Sequence, residues 1–230
     1  MIGKILINIR TLGLGATLLY ALDRLARHSG GAVTIRSYRL MAQPVRDRPR
    51  LPERRRKGFE ARPLGPGDAA LAQLPLDTAT LERRFAQGAR CLGLFRGERL
   101  VAALWLQFGD YEEDEVRCRF RPAHAAAAAW DFDVYVQPDQ RVGFAFAALW
   151  DAADATLRES GRRVSLSRIS AFNPASLGSH RRLGAREVGR ATFIGLGPVQ
   201  LCHSTLLRAR FHLALRRRSR PVITIPVPPA

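Results

Sequence analysis

The sequence predicts an α+β fold in which helices flank a mixed sheet, and three observations lead there. Residues 130–184 read without interruption as strand, turn, helix, strand and helix. Two apolar runs, Cys91-Leu92-Gly93-Leu94-Phe95 and residues 100–108, stand on either side of Arg96-Gly97-Glu98-Arg99, which is a hairpin signal. Apolar residues recur with period two in some stretches and period 3.6 in others, so both element types are present.

The 230 residues suffice for one domain of ordinary size, or one with terminal additions, and 47% hydrophobic content agrees with a real core. The formal charge of +17 is extreme and is carried by arginine, since Lys4 and Lys57 are the only lysines. A guanidinium fork holds phosphate in a bidentate way, so an anionic partner is expected: a nucleotide cofactor, an acidic carrier protein, an anionic membrane surface or nucleic acid. Helix-turn-helix, zinc-finger and base-stacking patterns are not apparent, which makes nucleic acid the poorest of these. Cys91, Cys118 and Cys202 are far apart and odd in number, and they give neither a disulfide framework nor metal-ligand spacing. Buried thiols in a reducing compartment, no metal and a cytoplasmic location are therefore expected. No apolar run reaches the roughly 18–20 residues that span a bilayer.

Residues 5–27 carry a helical stripe of Ile5, Ile9, Leu12, Ala16, Leu19 and Ala26, with Arg10, Arg24 and Arg27 outside it. Lys4 and Arg10 ahead of an apolar stretch imitate a signal peptide, but Gly13 and Gly15 interrupt the run and no small-x-small site precedes Asp23. An uncleaved helix packed on the core is the reading, with attachment to the inner face of a membrane as its alternative. Residues 32–44, rich in β-branched and aromatic side chains, form a strand or extended arm. In residues 45–58, Arg46, Arg48, Arg50, Arg54, Arg55, Arg56 and Lys57 alternate with Pro49 and Pro52. That composition reads as a linker without packed strand or helix, suited to acidic lipid or acidic protein.

The main domain, residues 59–200, opens with a short strand at 59–64. Gly65-Pro66-Gly67-Asp68 is a turn whose aspartate caps a short helix to Leu74, and Thr78 or Thr80 caps a second helix through Gln87. After the hairpin, residues 111–121 place Glu113, Glu115, Arg117, Arg119 and Arg121 on one face of a strand, as a charged ladder toward solvent. The alternative has Glu112, Glu113, Asp114 and Glu115 lining the mouth of a site for a cationic substrate. In the next strand Trp130, Phe132, Val134 and Val136 take the core face, and Asp131, Asp133 and Tyr135 the polar one.

Pro138 ends that strand, and Gly143 lets the following turn approach a ligand closely. A helix from about Phe144 to Ser160 bears Leu149, Ala153 and Leu157 on one stripe, and unpaired N–H groups at its start attract phosphates. Residues 164–169 form a strand, 173–183 a helix closed by Gly184, and 186–196 one or two strands. Residues 204–218, with Leu207, Phe211, Ala214 and Leu215 among arginines, read as a basic amphipathic helix, and 221–230 as an extended proline-rich tail. The terminal additions are thus residues 1–44, the linker 45–58 and residues 201–230.

This order of elements resembles the GNAT superfamily of acyl-CoA-dependent N-acyltransferases over residues 59–197, and two motifs carry the resemblance. Gln140-Arg141-Val142-Gly143-Phe144-Ala145 fits the family's phosphate turn: Gln or Arg, two residues, Gly, one residue, then Gly or Ala. Asn173, Ser176, Leu177, His180 and Gly184 fit its later helix, in which an Asn is followed by a small residue, an aliphatic, a Tyr and a Gly at those spacings. His180 stands in the tyrosine's place, Gly184-Ala185 replaces the usual Gly-Phe, and the link from Pro138 to the first motif is one residue shorter than is common.

The resemblance implies a GNAT-like central mixed, mostly antiparallel sheet, with the two basic terminal helices added to it. It implies acetyl-CoA or another acyl-CoA as cosubstrate, with Gln140, Arg141, Val142, Gly143, Phe144 and Ala145 cradling the pyrophosphate and Asn173 and Ser176 on the cofactor side. A backbone N–H among Val134, Tyr135 and Val136 would polarise the thioester carbonyl. His180 would protonate the departing thiolate, as an imidazole can, or would merely pack near the cofactor. Asp131 and Asp133 are available as the base beside the cleft, or as arginine partners. The activity implied is acetyl transfer to an amine acceptor. Its rivals are transfer of a longer acyl chain, from coenzyme A or an acidic carrier protein at the membrane surface, and a catalytically degenerate binding module.

Overall fold

The structure of the protein, a computed structural model, describes residues 14–26, 28, 30–216 and 218–229. In chain order the elements are α1 (Leu14–Ala26), β1 (Val33–Pro44), α2 (Glu53–Arg56), β2 (Glu60–Leu64), α3 (Thr78–Ala86), β3 (Arg90–Arg96) and β4 (Arg99–Gln107). Then come β5 (Tyr111–Glu112), β6 (Arg119–Pro122), β7 (Ala128–Val136), α4 (Ala145–Glu159), β8 (Val164–Ser170) and α5 (Pro174–Arg182). The chain closes with β9 (Arg186–Leu196), β10 (Val199–Ser204), β11 (Phe211–Ala214) and β12 (Val222–Ile225), and 3-10 turns lie at Ala69–Gln73 and Pro138–Gln140. These elements form two compact units: one takes the described residues up to Gln43, Glu112–Ala123 and Leu166–Pro226, the other Pro44–Tyr111, His124–Ser165 and the described residues from Val227.

In the second of these units, β7, β4, β3 and β2 lie side by side in that order, every pair antiparallel. The expected hairpin is β3 and β4, with Arg96 opposite Arg99 and Gly97 at φ 58°, a conformation open to glycine. α4 buries Leu149, Ala153 and Leu157, the stripe read from the sequence, together with Ala145, Ala148 and Trp150. Each buried leucine contributes about 2 kcal/mol of apolar burial. Asp68 caps its 3-10 turn as expected, accepting from the Ala70 amide at 2.9 Å. For α3 the cap is Asp77, which accepts from the Thr80 amide at 2.7 Å, in place of either threonine. A carboxylate suits the positive end of a helix better than a hydroxyl does.

The arginine-rich stretch 45–58 departs from the expected linker, because one of its cations is buried. Arg50 inserts between Asp151 and Asp154 of α4, and the three side chains are 8%, 6% and 3% exposed. Asp151 also accepts the backbone amides of Arg50 (2.7 Å) and Leu51 (3.1 Å), while Arg158 donates to the Arg46 carbonyl. The two aspartates stand three residues apart on one helix face, so together they bracket a guanidinium. One helical turn, α2, follows Pro52.

In the other unit the sheet runs β11, β10, β9, β1, β8. The expected arm of residues 32–44 is an interior strand here, antiparallel to β9, with Tyr38, Leu40, Met41 and Ala42 buried. Met41, Ile169, Leu177 and Ala185 form a core cluster that seats α5. α1 is helical as expected, Tyr20 meets Phe172 at 5.6 Å, and buried Asp23 pairs with Arg36; Ile5, Ile9 and Leu12 lie outside the described residues. Residues 111–121 are two short strands joined by a turn, not one charged ladder. Glu113 is sealed against Arg168 (2.6 and 2.7 Å), whose guanidinium lies 4.7 Å from the Tyr38 ring centroid, and the Tyr38 hydroxyl donates to Glu115 at 2.6 Å. Burial of Arg168 draws the carboxylates inward.

The expected C-terminal amphipathic helix does not form. Residues after Ser204 make turns, Arg210 takes φ 61°, and β11 pairs antiparallel with β10 from Phe211 opposite His203 to Ala214 opposite Gln200. Phe211-His212-Leu213-Ala214 fits period two as well as the stripe fits 3.6, and a strand edge with open hydrogen-bonding groups decides between them. With its parallel β6–β12 pair and its antiparallel ladders, the chain has the expected α+β class: mixed, mostly antiparallel sheet with flanking helices. No helix among the described residues is long and apolar enough to cross a membrane.

Arg50→Met is expected to lower stability by about 3–5 kcal/mol, because it leaves two buried carboxylates facing each other without a cation. Chemical denaturation measures it, and adding Asp154→Leu should recover part of the loss. A single variant as stable as the parent would contradict the docked arrangement.

Candidate functional site

Strand β7 contains an extra residue. Trp130, Asp131 and Phe132 pair with Gln107, Leu106 and Trp105, and Tyr135 and Val136 pair with Ala103 and Ala102. Asp133 and Val134 therefore share Leu104 between them, and Asp133 sits at φ 51°, which Asp tolerates better than most residues. The bulge reverses the alternation. Tyr135 returns to the face of Phe132, so Asp131, Asp133 and Tyr135 do not share the polar face that strict period two assigns them. It also takes the backbone of Asp133 and Val134 out of the β4 ladder, beside the residues expected to polarise a carbonyl.

Arg84 of α3 holds this bulge, and nothing in the sequence separates it from the other arginines. It is 6% exposed, its guanidinium lies 5.2 Å from the Trp105 and 5.1 Å from the Phe132 ring centroid, and it donates to Asp133 Oδ2 at 2.6 Å. A left-handed residue is thus tied by its own side chain to a cation stacked on aromatic faces. Asp133 keeps a side chain 42% exposed. Asp131 is 1% exposed and accepts from Ser165 Oγ at 2.6 Å, so it is sealed in the core.

From β7 the chain enters the 3-10 turn. The Arg141 Nε donates to the Val136 carbonyl (3.2 Å), and Asp139 takes both Arg99 amino groups at 2.9 Å. The Gln140 side chain donates to Asp139 (3.0 Å), which turns it toward the loop itself. α4 begins at Ala145 with Phe144 at its N-cap and no side-chain cap, so helix geometry leaves the N–H groups of its first turn without intrahelical acceptors. Val142 and Phe144 are exposed. Gly143 is absent from the left-handed residues, and a Cβ there would meet only the Gln140 carbonyl, at 3.5 Å. The fold does not demand glycine at this position, and the missing side chain leaves the backbone open to close approach.

The remaining expected site residues lie on α5, in the other unit. Asn173 caps that helix by accepting from the Ser176 amide at 3.0 Å, which accounts for both residues by capping. Gly184 at φ 95° ends it. His180 is 3% exposed, and burial pushes its imidazole down to about 4, so the ring is neutral at neutral pH. Val134 to Val136, the turn from Gln140 to Ala145, Asp131 and Asp133 are brought together in one unit; Asn173, Ser176 and His180 belong to the other. No cluster of metal-ligating side chains occurs among the described residues.

No protein-family model matches the chain, and no curated protein matches it. Solved structures do. A Drosophila protein is similar at TM-score 0.50 and 19% identity, over 78% of this chain and 57% of its own. A tandem GNAT protein from the clavulanic acid biosynthesis pathway is similar at TM-score 0.48 and 15% identity, over 70% and 53%. A GCN5-related N-acetyltransferase from Kribbella flavida is similar at TM-score 0.44 and 16% identity, over 73% and 61%. The chain spans 53–61% of these three proteins, and at such identities the likeness is one of fold. GNAT N-acetyltransferases are thus among its structural neighbours.

A histidine whose folded value of about 4 lies below the ordinary 6.5 favours the folded state fully above pH 6.5 and loses that contribution as pH falls toward 4. The loss amounts to at most about 3 kcal/mol. Unfolding free energies measured between pH 7 and 4 should show this slope in the parent and lack it in His180→Phe; equal slopes would show that His180 is not the buried neutral group.

Proposed function

We propose that the protein is an acyl-CoA-dependent N-acyltransferase, in the simplest case moving acetyl from acetyl-CoA to an amine. One observation carries the reading: a ladder break in β7 and an uncapped helix start at α4, separated by a turn whose glycine the fold itself does not require, lie within one unit. The N–H groups of Ala145, Phe146 and Ala147 would hold a pyrophosphate, with Gly143 giving it access. Backbone N–H groups at Asp133 and Val134 would stabilise the charge that develops on the thioester oxygen, which is where fixed donors are most effective. The thioester supplies the activated acyl group.

Arg84 fixes the donors in place and occupies Asp133 Oδ2, so Asp133 would hold the acceptor amine at its other oxygen, and the proton that the amine loses on acylation would pass to that exposed carboxylate and on to water. Sealed Asp131 has no part in proton transfer under this reading. Burial pushes the thiols of Cys91 and Cys202 up to about 12, which leaves both inert as nucleophiles.

Thermal unfolding with acetyl-CoA tests this. At a hundredfold excess over Kd the ligand stabilises the parent by about 2.7 kcal/mol. Gly143→Ala should unfold at the parent's temperature without ligand and bind at least tenfold more weakly. No ligand-induced shift in the parent would remove the enzyme reading.

A further inference from the structure

The stretch that was expected to be a loose basic linker is fastened to α4 at Arg50 and Arg46, so the cations that follow it stand at a set place. These are Arg54, Arg55, Arg56 and Lys57, all exposed. Arg55 reaches the phosphate turn: its guanidinium lies 4.8 Å from the ring centroid of Phe144, the residue just before α4. Four other arginines of this unit are engaged by acceptors, while Arg90 and Arg96 stack on Phe108 and Phe59 and not on the turn. Arg141 is held by Val136, Arg99 by Asp139, Arg62 by Asp68 and Arg84 by Asp133. Among the described residues, Arg55 has a ring under its face and no carboxylate within ion-pair distance. Stacking fixes the plane of a guanidinium without consuming its N–H donors, which leaves them for an anion.

We propose that Arg55 determines donor specificity by binding the 3′-phosphate of the nucleotide in the acyl donor. The inference rests on the coenzyme A reading of the turn. Coenzyme A carries two separate phosphate groups, a pyrophosphate and a 3′-phosphomonoester that is close to dianionic at neutral pH. A helix start offers roughly half a positive charge, enough to favour one group and falling off within its first turn. The second group needs a full cation with several donors, and a planar guanidinium supplies both. A donor whose pantetheine arm carries no adenosine 3′-phosphate has nothing to place on Arg55.

Calorimetric titration with coenzyme A and with 3′-dephospho-coenzyme A separates the claims. The parent should bind coenzyme A at least tenfold more tightly than the dephospho form. Arg55→Gln should bind both with the parent's dephospho affinity, while Arg208→Gln, which removes an equal charge from the other unit, keeps the parent's ratio. If the parent binds both ligands equally, or if Arg55→Gln keeps the ratio, the 3′-phosphate subsite is overturned and the coenzyme A reading stands. If the parent binds neither, both fall.

Discussion

A backbone N–H that closes a sheet ladder cannot also meet a ligand, and the proposed site in this chain rests on the point where β7 releases β4. The release takes one residue. Asp133 enters the left-handed region, Val134 loses its register partner, and Arg84 locks the distortion by pairing with Asp133 while stacked on Trp105 and Phe132. A strained backbone conformation costs on the order of 1–3 kcal/mol and persists only where its surroundings hold it. Here the surroundings are a buried arginine with two aromatic faces, so the donors at the bulge are held before any ligand arrives. Only a few residues downstream, the start of α4 offers a second set of N–H groups. The two sets share one continuous run of strand, turn and helix.

The positive charge of the chain divides into two populations with different work. Arg50, Arg84 and Arg168 are built into the fold, each against carboxylates that its neighbourhood buries or holds. Their replacement by uncharged residues would disturb packing as much as charge. The cations of α2 stay at the surface, and Arg50 decides where they stand. A net charge of +17 therefore overstates what is free to meet an anionic partner, and among the exposed cations Arg55 stands beside the turn that leads into α4.

Much of this was legible in the sequence, and the failures have physical causes. Leu149, Ala153 and Leu157 mark α4 because a helix buries one stripe, and Gly97 and Gly184 mark turns because their φ is positive. The turn ahead of α4 was readable from Pro138 and Gly143. The bulge was not, since Trp130 to Val136 alternate without a visible fault and an inserted residue declares itself only through the partner strand. Arg84 and Arg50 were hidden among similar residues, because burial of a guanidinium depends on carboxylates distant in sequence. β11 was misread as helix because four residues fit either period and the edge of β10, absent from any local window, settled the choice. Asn173 and Ser176 carry a family spacing that the fold explains by helix capping alone.

Backbone amide NMR of the nitrogen-15-labelled protein during titration with acetyl-CoA tests the central claim most directly. The account predicts that the largest saturable shifts fall on Asp133, Val134 and the amides from Gly143 to Ala147. Saturable binding that leaves those amides unmoved, with shifts confined to other surfaces, would contradict it.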